Sequence, residues 1–272
     1  MSSATLIAGY STQEDVFKYS TADNEIVIAS IGDYGVSTLN EQNVASMVES
    51  WNPDAIFTTG DNSYNSCNYN VDVNPYYGGY VDRYAFYPSL GNHDYSGDSA
   101  GYPQNYFAYF DDTVKDRYYY KVQLGPVMLF LLDSCDETPN GNTTSGYQYT
   151  WLNTELSRCR SPWKVVVCHH PPYSSRSTHG STSSMQWGFS GADMVFSGHE
   201  HNYERLYTEG VYYIVNGAGG ATLYNFGDAL STSQKRHNAL HGAGKLIASP
   251  TKLVWRYYSY DKVLVDSIIL EK

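Results

Sequence analysis

Continuous apolar runs and helical patterns alternate over the first part of the chain. Residues 25–32 enclose the mainly apolar run IVIASI, and residues 55–60 read AIFTTG, which predicts two buried strands. Between them, residues 40–51 carry apolar side chains at helical spacing and are followed by Pro53, which predicts an amphipathic helix. The same patterns predict one more helix at 148–156 and further strands at 86–91, 127–133, 164–169, 193–198 and 211–217.

The C-terminal part of the chain has a different pattern, in which apolar and polar side chains alternate. Residues 253–270 form two such pieces around Asp261, which predicts a closing hairpin. Residues 1–24 are polar and unpatterned, and we interpret them as an N-terminal arm or edge strand. The whole pattern favours an α/β fold with helices outside the sheets. No internal repeat or linker is visible, so residues 1–272 are interpreted as one domain.

Composition narrows the class of partner. Lys and Arg (17) are outnumbered by Asp and Glu (28), and the formal charge is −11. An acidic chain repels nucleic acid and anionic membranes, so we expect neither as a partner. No apolar stretch approaches the roughly 18 residues of a membrane span. An anionic substrate therefore requires a local positive centre, for which bound metal is the obvious candidate.

The sequence does not decide the cellular compartment of the protein. Residues 1–10 have no basic region and only a short apolar stretch, so no signal peptide is visible. The many Tyr, Asn and Ser with few Lys lean weakly toward a secreted or periplasmic protein. Cys135 and Cys159 are candidates for a disulfide in an oxidising compartment, and the sequence does not decide whether they pair.

Five short segments each end with residue types that bind metal ions. They are GDYG at 32–35, GDNSY at 60–64, GNHD at 91–94, CHHP at 168–171 and GHEH at 198–201. Loops at the carboxyl ends of successive strands converge at one edge of a sheet, so we expect these side chains to meet. A glycine precedes the ligand in four segments, and we expect it to permit a sharp backbone turn at Gly32, Gly60, Gly91 and Gly198.

The candidate ligands offer oxygen and imidazole nitrogen and no thiolate: Asp33, Asp61, Asn92, His169, His199 and His201. Such a set favours iron, manganese or zinc over copper(I) or an iron–sulfur cluster. Asp61 is the natural bridging ligand, because a carboxylate can give one oxygen to each of two ions. Two ions about 3.5–4 Å apart can hold the attacking and leaving oxygens of an in-line displacement. The set therefore predicts a two-metal hydrolase.

The order Asp-x-Gly, Gly-Asp-x-x-Tyr, Gly-Asn-His-Asp, Val-x-x-His and Gly-His-x-His resembles the purple acid phosphatases (tartrate-resistant acid phosphatase-like) of the calcineurin-like metallophosphoesterase superfamily. The resemblance covers residues 25–220 and implies a four-layer αββα sandwich of two mixed β-sheets. Relatives without an iron–tyrosinate pair usually read Asp-x-His in the first motif. This chain has Gly35 there, and Tyr64 in the second motif supplies the missing ligand.

The resemblance also implies which residues hold each of the two metal ions. Fe(III) would be bound by Asp33, Asp61, Tyr64 and His201. A divalent ion (Fe, Zn or Mn) would be bound by Asp61, Asn92, His169 and His199. A phenolate suits a trivalent ion, and about one positive charge remains after the anionic ligands and a bridging hydroxide are counted. That charge would let an acidic protein hold phosphate.

Two histidines outside the ligand set complete the predicted site. By the resemblance, His93 and His179 would bind the phosphate or protonate the leaving alcohol, and with Asp61 they are the candidate catalytic residues. A protonated imidazole is a sound general acid below neutral pH, so we expect an acidic pH optimum. Asp94 is a candidate to orient His93. His170 is expected to line the pocket or satisfy a hydrogen bond rather than to bind metal.

The predicted function is hydrolysis of phosphate monoesters on a small phosphorylated substrate, by attack of a metal-bound hydroxide. One alternative is a phosphodiesterase or nucleotide pyrophosphatase that uses the same two metals in a wider cleft. A second alternative is a binding scaffold without catalysis, which would be expected to have lost ligands. The long segments 65–83 and 174–190 are interpreted as walls of the cleft. The oligomeric state, the physiological substrate and the identity of the divalent ion stay open.

Overall fold

The computed structural model describes residues 16–17 (backbone alone), 25–96, 102–176 and 179–272. Its strands, in chain order, are β1 (Val16–Phe17), β2 (Ile26–Ile31), β3 (Ala55–Thr58), β4 (Phe86–Tyr87), β5 (Tyr120–Leu124), β6 (Val127–Leu131), β7 (Trp163–Val167), β8 (Met194–Ser197), β9 (Tyr203–Thr208), β10 (Val211–Asn216), β11 (Ser233–His237), β12 (Gly242–Ala248), β13 (Lys252–Ser259) and β14 (Leu264–Glu271). Its α-helices are α1 (Leu39–Ser50), α2 (Tyr69–Asp72), α3 (Asn74–Val81), α4 (Gln104–Tyr109), α5 (Asp111–Val114) and α6 (Tyr147–Arg158). Short 3₁₀ helices span Asn92–Tyr95 and Ser183–Met185.

The strands form two sheets. One has the order β1-β5-β6-β7-β8-β10-β9-β11, and the other has the order β14-β13-β12-β2-β3-β4. Both sheets are mixed: β2, β3 and β4 are parallel to one another, as are β6, β7, β8 and β10, and the remaining pairs are antiparallel apart from β1 with β5. The predicted α/β class with two mixed sheets is confirmed.

Successive side chains along a strand of the first sheet point to opposite faces, and the clusters that they enter show how the layers stack. On β7, Val165 and Val167 lie in the main core, whereas Val166 between them belongs to a second apolar cluster. That second cluster includes Leu152 and Leu156 of α6. One face of this sheet therefore packs on the other sheet, and the opposite face is covered by α6.

Helix α1 covers the second sheet, and aromatic contacts join the two sheets. Val44, Met47 and Val48 of α1 are fully buried, and the helix packs against β12 and α3. Between the sheets, the ring of Phe196 on β8 meets Phe57 on β3 at a centroid distance of 5.2 Å and Trp255 on β13 at 4.7 Å. The helix–sheet–sheet–helix order agrees with the αββα arrangement that the sequence motifs implied.

Several elements differ from those that the hydrophobic pattern predicted. The segment 65–83, expected as an irregular wall, contains α2 and α3, and β4 is only two residues long. Strands β5, β9, β11 and β12 were not predicted. Of the predicted arm at 1–24, only β1 is described; it lies at the sheet edge, parallel to β5, and the rest of that prediction falls outside the described residues. The single-domain interpretation stays a prediction.

Candidate metal centre

The five motif segments meet at one edge of the sandwich, where the parallel strands of both sheets end. Asp33 follows β2, Asp61 follows β3, His169 follows β7 and His199 follows β8. Three of these residues have a left-handed backbone, with φ of 52° at Asp33, 51° at Asp61 and 66° at His199. Side chains other than glycine adopt this conformation rarely, and it clusters at functional sites.

The glycines before the ligands act differently from our sequence-based expectation. Gly60 alone of the four has a positive φ, at 92°. At the others the need is for space: a Cβ on Gly91 would lie 2.3 Å from Asp61 Oδ1, and a Cβ on Gly198 would lie 2.3 Å from Asp33 Oδ2. At Asp33, Asp61 and His199 the ligand residue itself makes the sharp turn, whereas Gly91 and Gly198 leave room for the carboxylates of Asp61 and Asp33.

A first group of ligand atoms surrounds the Tyr64 hydroxyl. The hydroxyl oxygen lies 2.9 Å from Asp61 Oδ2, 2.9 Å from His201 Nε2 and 3.4 Å from Asp33 Oδ1. His201 Nε2 also lies 3.4 Å from Asp33 Oδ1. A single hydroxyl proton cannot satisfy three acceptors at once.

A second group of ligand atoms surrounds the side-chain oxygen of Asn92. Asn92 Oδ1 lies 3.0 Å from His169 Nε2 and 3.0 Å from His199 Nδ1, and these two nitrogens are 3.2 Å apart. Asp61 joins the two groups: its Oδ2 contacts Tyr64, while its Oδ1 lies 3.4 Å from His169 Nε2. The structure thus brings together all seven side chains that the sequence proposed as ligands.

The outer nitrogens of two histidines show where their lone pairs point. His169 Nδ1 lies 2.8 Å from the carbonyl oxygen of Thr59, and His201 Nδ1 lies 2.8 Å from that of Thr222. A carbonyl only accepts, so each Nδ1 carries a proton, and in the neutral ring each Nε2 presents a lone pair to its group. Histidines that bind metal are oriented by such outer hydrogen bonds. Lone pairs therefore face carboxylate, amide and hydroxyl oxygens, an arrangement that a cation between them would stabilise.

The pKa shifts of these residues have different directions. At His201, burial lowers the pKa, but the hydrogen bond and charge of Asp33 outweigh burial and raise it. Burial holds the pKa of His169 well below its ordinary value and lowers the pKa of His199 to about 2, so both rings are neutral. Burial raises the pKa of Asp33 to about 7, and burial with the neighbouring carboxylates raises the pKa of Tyr64 well above its ordinary range. Ionised Asp33 and a Tyr64 phenolate would need a cation nearby. This set of ligand atoms therefore fits a pair of metal ions.

The two predicted outer histidines both lie beside the ligand atoms. The ring of His93 is 4.2 Å from that of Tyr64 by centroid, and its backbone N–H donates to Asp61 Oδ1 at 2.9 Å. The ring of His179 is 4.7 Å from that of His199, and the His179 side chain is 42% exposed. They flank the centre from different loops.

Asp94 does not orient His93, contrary to one expectation from the sequence. Its carboxylate is fully buried and accepts hydrogen bonds from the backbone N–H of Gly91, the Nδ2 of Asn62 and the hydroxyl of Tyr69, at 2.8–2.9 Å. Burial, with the nearby Asp61 charge, raises the pKa of Asp94 to about 7. Through these hydrogen bonds, Asp94 connects the loops that carry the candidate ligands.

Residues near the site that the sequence analysis did not select as functional include Ser134, Arg176, Glu200 and Tyr224. Arg176 Nη1 lies 2.9 Å from His179 Nδ1 and 3.1 Å from Glu200 Oε2, and its guanidinium stacks 3.5 Å from the Tyr224 ring centre. Tyr224 in turn stacks on His201 at 4.0 Å. Glu200 lies inside the fifth motif, which could have marked it, whereas Tyr224 comes from a distant segment without regular structure.

Comparison with known proteins identifies the family. Residues 27–203 match the model of the calcineurin-like phosphoesterases, and this chain belongs to that family. The predicted superfamily is therefore confirmed. Among the described residues, no helix is long and apolar enough to cross a membrane.

Within the family, the similar proteins include purple acid phosphatases. "Probable purple acid phosphatase 20" of Arabidopsis thaliana is 27% identical over 96% of this chain and 67% of its own length. Purple acid phosphatase 5 of the same plant is 30% identical over 77% of this chain and 49% of its own length. The chain thus spans about half to two thirds of these two relatives.

Two solved structures share the fold. One is GAP50, described as the anchor in the inner membrane complex of Plasmodium, with a TM-score of 0.72 and 17% identity over 91% of this chain and 89% of that one. The other is the purple acid phosphatase PPD1 from yellow lupin seeds, with a TM-score of 0.71 and 16% identity over 91% of this chain and 54% of that one.

Proposed function

We propose that this protein is a dinuclear-metal phosphatase that hydrolyses phosphate monoesters. The observation that carries the proposal is the pair of acceptor groups around Tyr64 and Asn92, with one oxygen of Asp61 turned toward each. The purple acid phosphatases and the phosphoenolpyruvate phosphatase of Allium cepa among the similar proteins support the same reaction class.

The ligands divide between two ions according to their charge. The first group offers two carboxylates, a phenol and one imidazole, which suits Fe(III), because phenolate and carboxylate oxygens stabilise a trivalent ion. The second group offers an amide oxygen, two neutral imidazoles and the shared carboxylate, which suits a divalent ion such as Fe, Zn or Mn. Asp33, Asp61, Tyr64 and His201 are thus proposed for the first ion, and Asp61, Asn92, His169 and His199 for the second.

The residues around the ions have roles that follow from their positions. When bound, the two ions would polarise the phosphoryl oxygens and lower the pKa of water. Asp61 connects the two ligand groups, because each of its two carboxylate oxygens faces one of them. His93 and His179, on separate loops beside Tyr64 and His199, are proposed to hold the phosphate and to donate toward the leaving oxygen. An acidic pH optimum stays a prediction of this arrangement.

A binding scaffold is the main rival outside the enzymes, since GAP50 shares the fold and is described as an anchor. The complete set of candidate ligands argues for catalysis. All seven side chains converge, and three of the residues have the uncommon left-handed backbone. A protein selected only as a scaffold would have no need to maintain such conformations around converging lone pairs.

The test is metal analysis of the purified protein with a visible spectrum and hydrolysis assays, using metal-depleted protein as the control. We expect two metal ions per chain, iron with a tyrosinate charge-transfer band, and faster hydrolysis of p-nitrophenyl phosphate than of bis-p-nitrophenyl phosphate. Preference for the diester would favour the phosphodiesterase alternative. Failure to bind metal or to hydrolyse either compound would refute the proposal. A flat or alkaline rate profile would contradict the predicted acidic optimum.

A further inference from the structure

His170 is an imidazole beside the proposed metal centre that has no assigned role. Its ring centroid is 4.4 Å from that of His199, and one of its ring nitrogens lies within 4.8 Å of ligand nitrogens of His169 and His199. Proximity alone would allow this ring either to bind a metal ion or to contact substrate, so its protonation pattern decides between the two.

The hydroxyl of Ser134 fixes that pattern. Ser134 Oγ accepts hydrogen bonds from the backbone N–H groups of His169, at 3.2 Å, and His170, at 2.8 Å. Both lone pairs of the hydroxyl oxygen are then used, and its one proton remains. His170 Nδ1 lies 3.0 Å from the same oxygen, so it must accept that proton. A neutral ring with Nδ1 as acceptor carries its proton on Nε2, which makes Nε2 a hydrogen-bond donor and unsuited to bind metal.

Arg176 fixes His179 in the same way. A guanidinium has donors only, and Arg176 Nη1 lies 2.9 Å from His179 Nδ1, which must therefore accept. The guanidinium is held by Glu200 at 3.1 Å and by stacking on Tyr224. His179 is thus also an Nε2–H donor. Within the described residues, neither Nε2 atom, that of His170 or that of His179, has a hydrogen-bond acceptor from the protein.

We propose that Ser134 and Arg176 are positioning residues that hold His170 and His179 as Nε2–H donors beside His199, where both donate to oxygens of a bound phosphate group. His170 thereby becomes an additional phosphate-binding residue. The inference rests on the proposed function, because it presumes that phosphate binds at this centre. Among the described residues, no such hydrogen bond fixes the tautomer of His93, the other histidine proposed to contact phosphate.

The first test measures tautomers directly. We would record ¹⁵N spectra of the histidine-labelled protein loaded with zinc, which is diamagnetic, and assign His170 and His179 with single-site variants. The expected result is Nε2–H for both rings, with His170 losing that preference in Ser134→Ala and regaining it in Ser134→Thr. Arg176→Met should release His179 alone, and Arg176→Lys should retain it. An Nδ1–H tautomer for His170 in the parent protein would overturn the proposal.

The second test measures phosphate binding with matched variants of His170. In His170→Gln the amide N–H can stand near the position of Nε2, whereas His170→Leu removes the donor and keeps the bulk. We expect His170→Leu to raise the dissociation constant of inorganic phosphate about tenfold, the effect of one hydrogen bond, and His170→Gln to raise it about threefold or less. Equal losses in both variants, or no loss in His170→Leu, would overturn the proposal.

Metal content separates this inference from the proposed function. We expect both His170 variants to keep two ions per chain, because the ring is not a ligand. Loss of an ion in His170→Leu would show that His170 binds metal and would overturn the inference while leaving the phosphatase proposal intact. A parent protein that binds metal without hydrolysing phosphate esters would instead refute the proposed function, and the tautomer measurement would still stand by itself.

Discussion

Buried carboxylates occur in two adjoining regions of this protein, and their surroundings differ. In the metal centre, Asp33 and Asp61 accept the backbone N–H groups of His199 and His93. Their oxygens also face the single hydroxyl of Tyr64 and the Nε2 atoms of His201 and His169, whose Nδ1 atoms already donate elsewhere. In the second region, Asp94 and Asp133 are fully buried as well. There every partner is a donor: N–H and O–H groups surround Asp94, and Asp133 accepts from the Tyr95 hydroxyl at 2.6 Å and from the Cys135 backbone at 3.1 Å.

The difference separates a structural carboxylate from a ligand. A buried acceptor that is fully matched by donors contributes to stability and needs nothing further. A buried acceptor that also faces other acceptors keeps lone pairs without a donor, and a cation between them would stabilise these lone pairs. The same residue type therefore has two roles within one network, and burial alone does not distinguish them.

The largest effect is expected for Asp61→Asn in the metal centre. One of the two oxygens becomes an NH₂ group, so the residue can no longer offer an anionic oxygen to each ligand group. We expect both ions to bind more weakly and kcat to fall about 10³-fold, the loss of several kcal/mol of transition-state stabilisation. Metal analysis and steady-state kinetics measure this. Full turnover with two ions per chain would refute the bridging role.

Tyr64→Phe should affect one ligand group and spare the other. The variant lacks the hydroxyl that contacts Asp33, Asp61 and His201, whereas Asn92 and its two histidines keep all their contacts. We expect the visible charge-transfer band to vanish and the first ion to bind about 10–100-fold more weakly or worse, with the second ion retained. Titration with each metal measures this. Loss of the second ion alone would reverse our assignment of the groups.

Asp94→Asn makes the same chemical change as Asp61→Asn, in the region where donors surround the carboxylate. The new NH₂ group would face N–H and O–H donors from Gly91, Asn62 and Tyr69. We expect the free energy of unfolding to fall by about 1–3 kcal/mol, with two ions still bound. Urea unfolding and metal analysis form the comparison. Loss of metal without loss of stability would contradict the distinction between the two regions.

The sequence predicted much of the candidate site because its signals are local. Each ligand follows an apolar run, and a parallel strand ending at a sheet edge fixes where such a residue lies. The segment 65–83 was misjudged, because its Asn, Gly and Tyr residues gave no helical period, yet Tyr77 is buried against Tyr34 at 5.3 Å and holds α3 in place.

The contacts around the ligands could not be predicted, because they depend on tertiary structure. Nothing near Asp94 in the sequence shows that Asn62 and Tyr69 approach it rather than His93. Likewise, Ser134 follows β6 in a segment with no metal motif, and its contact with His170 exists only because β6 pairs with β7. Hydrophobic periodicity fixes which strand ends meet, whereas hydrogen-bond partners across those ends depend on side-chain orientations that the fold alone determines.

Glu41 combines both kinds of surroundings, because one of its oxygens is matched by donors and the other is not, and its effect is confined to stability. Its Oε2 accepts from the backbone N–H groups of Val36 and Ser37, while its buried Oε1 has no partner among the described residues. Burial raises the pKa of Glu41 to about 9, from its ordinary value of 4.5. The folded state thus keeps the carboxyl protonated at neutral pH, where the unfolded chain has ionised it, and stability is lost as pH rises from about 4.5 to about 9.

Glu41→Gln keeps an oxygen acceptor for the two N–H groups and removes the ionisation. We expect the variant to match the parent near pH 4, where Glu41 is protonated in both states, and to exceed it by about 1–3 kcal/mol near pH 7. Urea unfolding of metal-depleted protein at both pH values measures the two gaps. A gap of the same size at both pH values would mean that ionisation of Glu41 is not its source. A parent more stable than the variant near pH 7 would place Glu41 with the donor-matched carboxylates instead.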